Sequence, residues 1–130
     1  MNDSSSHARQ WMAKATNDLV AGERLLAAGG PYDAVCFHAQ QAAEKALKAL
    51  LAFAGSPIPH THNLEDLQSA CGQITSMTLP ARLSEWELAE LTPFAVESRY
   101  DVEFSPDDQT ARQAVTLASE VCAAVAAALG

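Results

Sequence analysis

The sequence predicts an all-α fold, an up-down bundle of four long helices plus a short additional helix, and three observations predict it. Hydrophobic residues make up 48% of the 130 positions and aromatics only 6%, with alanine dominating the apolar count. Small side chains at that density favour close helix packing, whereas strands prefer β-branched and aromatic residues. Apolar positions recur at three- and four-residue intervals from Trp11 onward, and no strand pattern, internal repeat or domain linker interrupts them. Glycine and proline punctuate the periodic stretches, at Gly29-Gly30-Pro31, at Gly55-Ser56-Pro57-Ile58-Pro59, and at Pro80 and Pro93.

The chain reads as one domain over residues 1–130, with residues 1–6 loose. A first helix is expected from about Ser6 to Ala28, with Ser4–Ser6 as capping candidates. Its inward side is marked by Trp11, Ala15, Leu19 (or Asp18) and Leu25-Leu26. Gly29-Gly30 suits its C-terminus, and Pro31 suits the start of the next helix. The second helix covers Ala34–Gly55 and ends where two prolines in three residues exclude a helical ladder. A third starts after His62, with Asn63 as N-cap and Glu65 and Asp66 in the first turn, where acids favour the helix dipole. Gly72–Leu79 reads as a loop, and Pro80 as the start of a fourth helix through Leu91, continued past Pro93 to Arg99. Tyr100–Pro106 is expected to be an irregular acidic connection before a last helix, Gln109–Leu129, capped by Asp107 or Asp108.

A net charge of −8 argues against a broad phosphate-binding surface and disfavours long RNA as a ligand. Cys36, Cys71 and Cys122 are odd in number and far apart among small or apolar neighbours, which fits buried reduced thiols in a reducing compartment. The segment MNDSSSHARQ has no apolar stretch of the kind a secretory signal needs. Val115–Leu129 is interrupted by Thr116, Ser119 and Glu120 and reads as too short and polar to span a bilayer. A cytoplasmic protein without a membrane partner is therefore expected.

The most informative stretch is the second helix. His38, Gln41, Lys45 and Lys48 lie three, four and three residues apart and share one side, while Ala39, Ala42, Ala46, Ala49, Leu50 and Phe53 line another. A polar strip on so apolar a rod either opens onto a groove or meets polar groups of a partner. Its alternative is a solvated face with Glu44 pairing locally to Lys48. Glu97-Ser98-Arg99-Tyr100-Asp101 is a second candidate, where a guanidinium and a phenol ring stand side by side to take a phosphate and a base. Arg99 could equally cap helix-end carbonyls or pair with Glu97 or Asp101. Metal binding is not expected, because Glu-x-x-His is absent and His60-x-His62 has no completing ligands at a fixed spacing. His62 has a structural alternative, a hydrogen bond to a loop carbonyl. Phosphate-loop and dinucleotide fingerprints and the serine- and cysteine-hydrolase signatures are also missing, so no cofactor is expected.

Several motifs together resemble the HEPN family. They are Trp11 through Asp18-Leu19 and Leu25-Leu26, the run Tyr32-x-x-Ala-x-x-x-x-Gln-Gln-Ala-Ala-Glu-Lys-Ala-Leu-Lys-Ala-Leu-Leu, Thr61-His62-x-Leu-x-x-Leu, and Arg99-Tyr100. The resemblance spans nearly the whole chain and rests most on the second-helix run. It implies a helical bundle that dimerises side by side and works beside a minimal nucleotidyltransferase, often as a toxin–antitoxin pair. Other branches of the family are metal-independent ribonucleases with an Arg-x(4–6)-His motif. Carried over, Arg99 would be the motif arginine, but Phe104, Ser105 and Pro106 stand where the histidine belongs. Asp101 is a second departure, since close relatives carry proline there.

These departures favour a non-catalytic module that binds a nucleotide or a partner through Arg99, Tyr100, Lys45, Lys48, Gln41, His38 and His62. The alternative is a ribonuclease toxin that uses His62 or His38 as a displaced base. A bundle serving oligomeric assembly alone is the third possibility.

Overall fold

A computed structural model describes residues 3–95 and 105–130. The expected continuation to Arg99, most of the acidic connection, and Arg99 and Tyr100 themselves lie outside the described residues. The all-α bundle is found: among the described residues α1 (Asp3–Ala27), α2 (Tyr32–Phe53), α3 (Leu64–Gly72) and α4 (Asp108–Leu129) carry it, with three single-turn 3₁₀ helices between α3 and α4. No strand occurs among the described residues.

Helix α2 is the axis. Thirteen of its 22 residues are buried, against three in α1. Those three, Ala8, Ala15 and Gly22, recur every seventh residue and form a narrow seam along which α1 lies on α2. Trp11, Leu19, Leu25 and Leu26 flank the seam and pack against the core. The two helices run antiparallel, with Gly22 beside Val35 and His38 at one end and Ser4 beside Gly55 at the other. Helix α1 begins at Asp3 rather than near Ser6, so Ser4–Ser6 sit inside its first turns instead of capping it.

Helices α1 and α2 end in the same way. Gly29 and Gly55 have φ of +88° and +70°, a left-handed conformation that only glycine adopts without strain. The amide of Gly30 donates to the Leu25 carbonyl and that of Ser56 to the Leu51 carbonyl, closing the six-residue loop of a Schellman cap. Gly22 is different, because it lies inside a regular helix. A Cβ added there meets its nearest atoms at 3.6 Å, ordinary van der Waals contact. Gly22→Ala is therefore expected to stabilise the fold by about 0.5–1 kcal/mol through helix propensity. Urea unfolding would check it, and a loss of stability would mean that the seam tolerates no methyl group.

Asn63 caps α3 as expected, its side chain accepting from the amides of Glu65 and Asp66 at 2.9 and 3.1 Å. Of the two cap candidates for α4, Asp107 is used, accepting from the Thr110 amide at 2.8 Å. That contact, made by backbone and side chain of Thr110, holds the Asp107 carboxyl below the ordinary range. Helix α4 runs parallel to α2, with Tyr32 beside Asp108 and the Cys122 thiol donating to the Ala42 carbonyl. By length and composition alone α4 would suit a bilayer, with a mean hydropathy of 1.2. The sequence reading weighs only Val115–Leu129, a shorter stretch than a span needs. Its Ala111, Ala114, Ala118, Val121 and Val125 nonetheless belong to the core.

The expected helix from Pro80 to Leu91 does not form. In its place are the 3₁₀ turns Leu83–Glu85, Leu88–Glu90 and Thr92–Ala95, broken by an extended Trp86. The buried residues Leu83, Trp86, Leu88, Leu91 and Phe94 step by three, two, three and three. That spacing fits three residues per turn with one extended step, not the 3.6-residue period. The Gln68 amide of α3 supplies what a regular helix would have supplied, donating to the carbonyls of Leu83 (2.6 Å) and Trp86 (3.0 Å).

Candidate functional site

The polar strip of α2 is arranged by the neighbours it packs against. Where α1 crosses it, Asp18 turns inward and takes two partners from α2 at once. Lys45 Nζ lies 2.5 Å from Asp18 Oδ2, and His38 Nδ1 lies 2.9 Å from Asp18 Oδ1. Next to Lys45 in the chain, Glu44 organises a second cluster from within α2 itself. It is only 2% exposed, yet Lys48 Nζ (3.0 Å), His62 Nδ1 (3.0 Å) and Gln40 Nε2 (3.1 Å) all converge on it.

Gln40, fully buried, ties this second cluster to the loop before α3. Its amide donates to the His62 carbonyl at 3.2 Å, and its own oxygen accepts from Gln41 at 2.7 Å. On the outer side, the Lys48 ammonium sits 5.3 Å from the centre of the Trp11 ring, a cation–π arrangement, while the Trp11 indole donates to His7 at 3.2 Å. No buried side-chain nitrogen or oxygen among the described residues lacks a partner.

The strip thus forms two carboxylate-centred clusters. Two ammonium groups face two carboxylates, and with neutral imidazoles the formal charges cancel. Lys45 and Lys48 are engaged, so a phosphate reaching either must share it with an acid. Burial by itself would push the Glu44 carboxyl up. The hydrogen bonds from Gln40, Lys48 and His62, with the charge of Lys48, outweigh it and hold Glu44 below the ordinary carboxylate range.

Of the residues singled out in the sequence, Lys48, Gln41 and His62 meet in one cluster, and His38 and Lys45 in the other. The structural alternative for His62 also changes form: its ring bonds a carboxylate, and its carbonyl, not its ring, anchors the loop. Glu44, Gln40 and Asp18 are the organising groups that sequence reasoning passed over. Glu44 was visible only as a local partner of Lys48, and Asp18 only as an alternative to Leu19. The signal available for Glu44 was an acid set among alanines on the most apolar helix of the chain.

Chemically, the exposed feature is His62, whose side chain is 67% accessible. When its Nδ1–H donates to Glu44, the neutral ring presents Nε2 as an acceptor. The thiols offer no such chemistry. Cys36, Cys71 and Cys122 are buried and free, and burial pushes them up to about 11, 12 and 12. They stay protonated and unreactive near neutral pH. Among the described residues no group of three or more His, Cys, Asp or Glu gathers to hold a metal ion.

No curated protein matches the chain. A crystal structure from Thermus thermophilus, that of TT1696, is similar to it, with a TM-score of 0.76 and 29% identity over 92% of this chain and 96% of that one. A family model for the HEPN domain matches residues 8–128, from the first seam residue of α1 to the last turn of α4. With the second-helix run forming the buried axis of an all-α bundle and the match covering nearly its full length, the chain belongs to the HEPN family.

Proposed function

We propose that this HEPN domain is a binding module, a dimer that engages a nucleotide or a protein partner of the minimal-nucleotidyltransferase class, within a toxin–antitoxin pair. The observation that carries the reading is the charge balance of the α2 strip. Its lysines are already neutralised by Asp18 and Glu44, while Gln41 and the exposed His62 stand at the rim. Such a cluster suits hydrogen-bonded recognition of a base or a polar protein surface better than capture of a long polyanion. Arg99 and Tyr100, outside the described residues, supply a guanidinium and a ring in this reading.

Calorimetric titration with ATP and with a minimal nucleotidyltransferase tests it. Arg99→Ala and His62→Ala are each expected to weaken binding about tenfold, equivalent to about 1.4 kcal/mol, with an unchanged circular dichroism spectrum. If neither titrant binds, or if both variants bind like the parent, the assignment is wrong.

One observation favours a second reading, a metal-independent ribonuclease. The Glu44–His62 pair has the geometry of a carboxylate orienting a general base. Cleavage of RNA by the parent and not by His62→Ala would support that reading. No cleavage, or equal cleavage by both, would remove it.

A further inference from the structure

A different face of the molecule carries a groove that the α2 strip does not use. Between α4 and the 3₁₀ segment lie two adjoining cavities of about 570 and 650 Å³, which share Arg82, Trp86 and Glu120 as a common saddle. On α4 their wall is one stripe: Gln113, Leu117, Glu120, Ala124 and Ala128 step by four, three, four and four residues. From Gln109 to Ala128 the groove follows α4 for roughly 29 Å at 1.5 Å per residue, the length of a helix of about twenty residues.

The two ends differ in character. Beyond Trp86 the lining is small and apolar, with Leu79, Pro80, Ala124, Ala127 and Ala128, so a helix backbone can come close. At the other end Glu85, Glu87 and Glu90 stand exposed. Among the described residues the cations nearby are already committed: Arg82 faces Glu120 at 3.4 Å and Glu85 at 3.7 Å, and Arg112 holds Asp108 at 2.7 Å. Glu87 and Glu90 make no ion pair among the described residues. Among the described residues the uncompensated charge of the groove is negative.

We propose that this groove docks an amphipathic helix of another protein, one with a small apolar face and Lys or Arg residues placed against Glu87 and Glu90. Helix-in-groove recognition supplies the apolar contact, and the acidic end sets orientation and encounter rate. The inference is independent of the α2 strip, whose residues take no part in it.

The test uses the whole chain and two synthetic helical peptides of about twenty residues, alike in their Ala/Leu face, one with lysines and one with glutamates on the polar face. Binding is followed by nuclear magnetic resonance, with the Trp86 indole N–H, bonded to Glu120 at 2.6 Å, as the reporter. The lysine peptide is expected to shift that resonance, to weaken as salt rises, and to bind at least about tenfold better than the glutamate peptide. Binding should fall by a similar factor in Glu87→Lys/Glu90→Lys and in Ala127→Arg, all at exposed positions. Equal binding of the two peptides, shifts that leave Trp86 untouched, or full binding by both variants would overturn the proposal. So would dimerisation or vesicle binding by the parent chain that Ala127→Arg abolishes, since either would give the groove a different occupant.

Discussion

Glu44→Ala is expected to destabilise the domain by about 3 kcal/mol, because removing one member of a buried ion pair leaves its partners desolvated and unpaired. Lys48 is largely buried and loses its counter-charge, while fully buried Gln40 keeps only the His62 carbonyl as acceptor for its amide and the exposed His62 ring turns to water. For a domain of this size the loss corresponds to a fall in Tm of about 10 °C. Glu44→Gln keeps an acceptor for Gln40 and His62 but not the charge opposite Lys48, so it is expected to lose roughly half as much. Equal stability of all three proteins in urea would show that the cluster contributes nothing to the fold.

The same residue sets a pH dependence. Its folded carboxyl titrates below its unfolded one, so the folded state holds the charged form more strongly. The stabilisation is complete above the ordinary carboxylate value and is lost as pH falls through the depressed folded value. Asp107 and Asp108, held low by Thr110 and Arg112, add to the trend in the same acidic window. Unfolding midpoints between neutral and acidic pH should therefore drop, and the part owed to Glu44 should vanish in Glu44→Gln.

Ala42→Leu is expected to cost about 2–3 kcal/mol by overpacking. Ala42 has no exposed surface, and its carbonyl accepts from the Cys122 thiol at 3.7 Å, so α2 and α4 are already in contact there. A leucine must push the helices apart or leave its rotamer wells. Ala123→Leu, on the exposed side of α4, is the control and should change stability by less than about 0.5 kcal/mol. Thermal unfolding of the pair separates overpacking from a general effect of added leucine. A value near zero for Ala42→Leu would mean that the interface yields.

How much was legible follows from the range of each signal. Gly29, Gly55 and Asn63 act within six residues of their own position and could be placed from neighbours in sequence, while the α4 cap was narrowed to Asp107 or Asp108. The α2 axis was legible because an apolar rod with one polar strip has few ways to be solvated. The 80–95 segment was misread for the opposite reason. Its turns depend on Gln68, which lies far back in the chain and replaces the hydrogen bonds that a regular helix would have made. The strip itself was read correctly as one polar side, but not as two closed clusters, since Asp18 and His62 reach it from other elements.

The sequence by itself determined the family, the all-α class, the Asn63 cap, the glycine ends of the first two helices and the central helix. These rest on local backbone preferences and on the 3.6-residue period, which are written in adjacent residues. Only the tertiary structure decided which charges meet. The 2.5 Å contact of Lys45 with Asp18 and the convergence of His62 on Glu44 join residues 27 and 18 positions apart. An ion pair needs a few ångströms of accuracy in three dimensions, and helix packing supplies it.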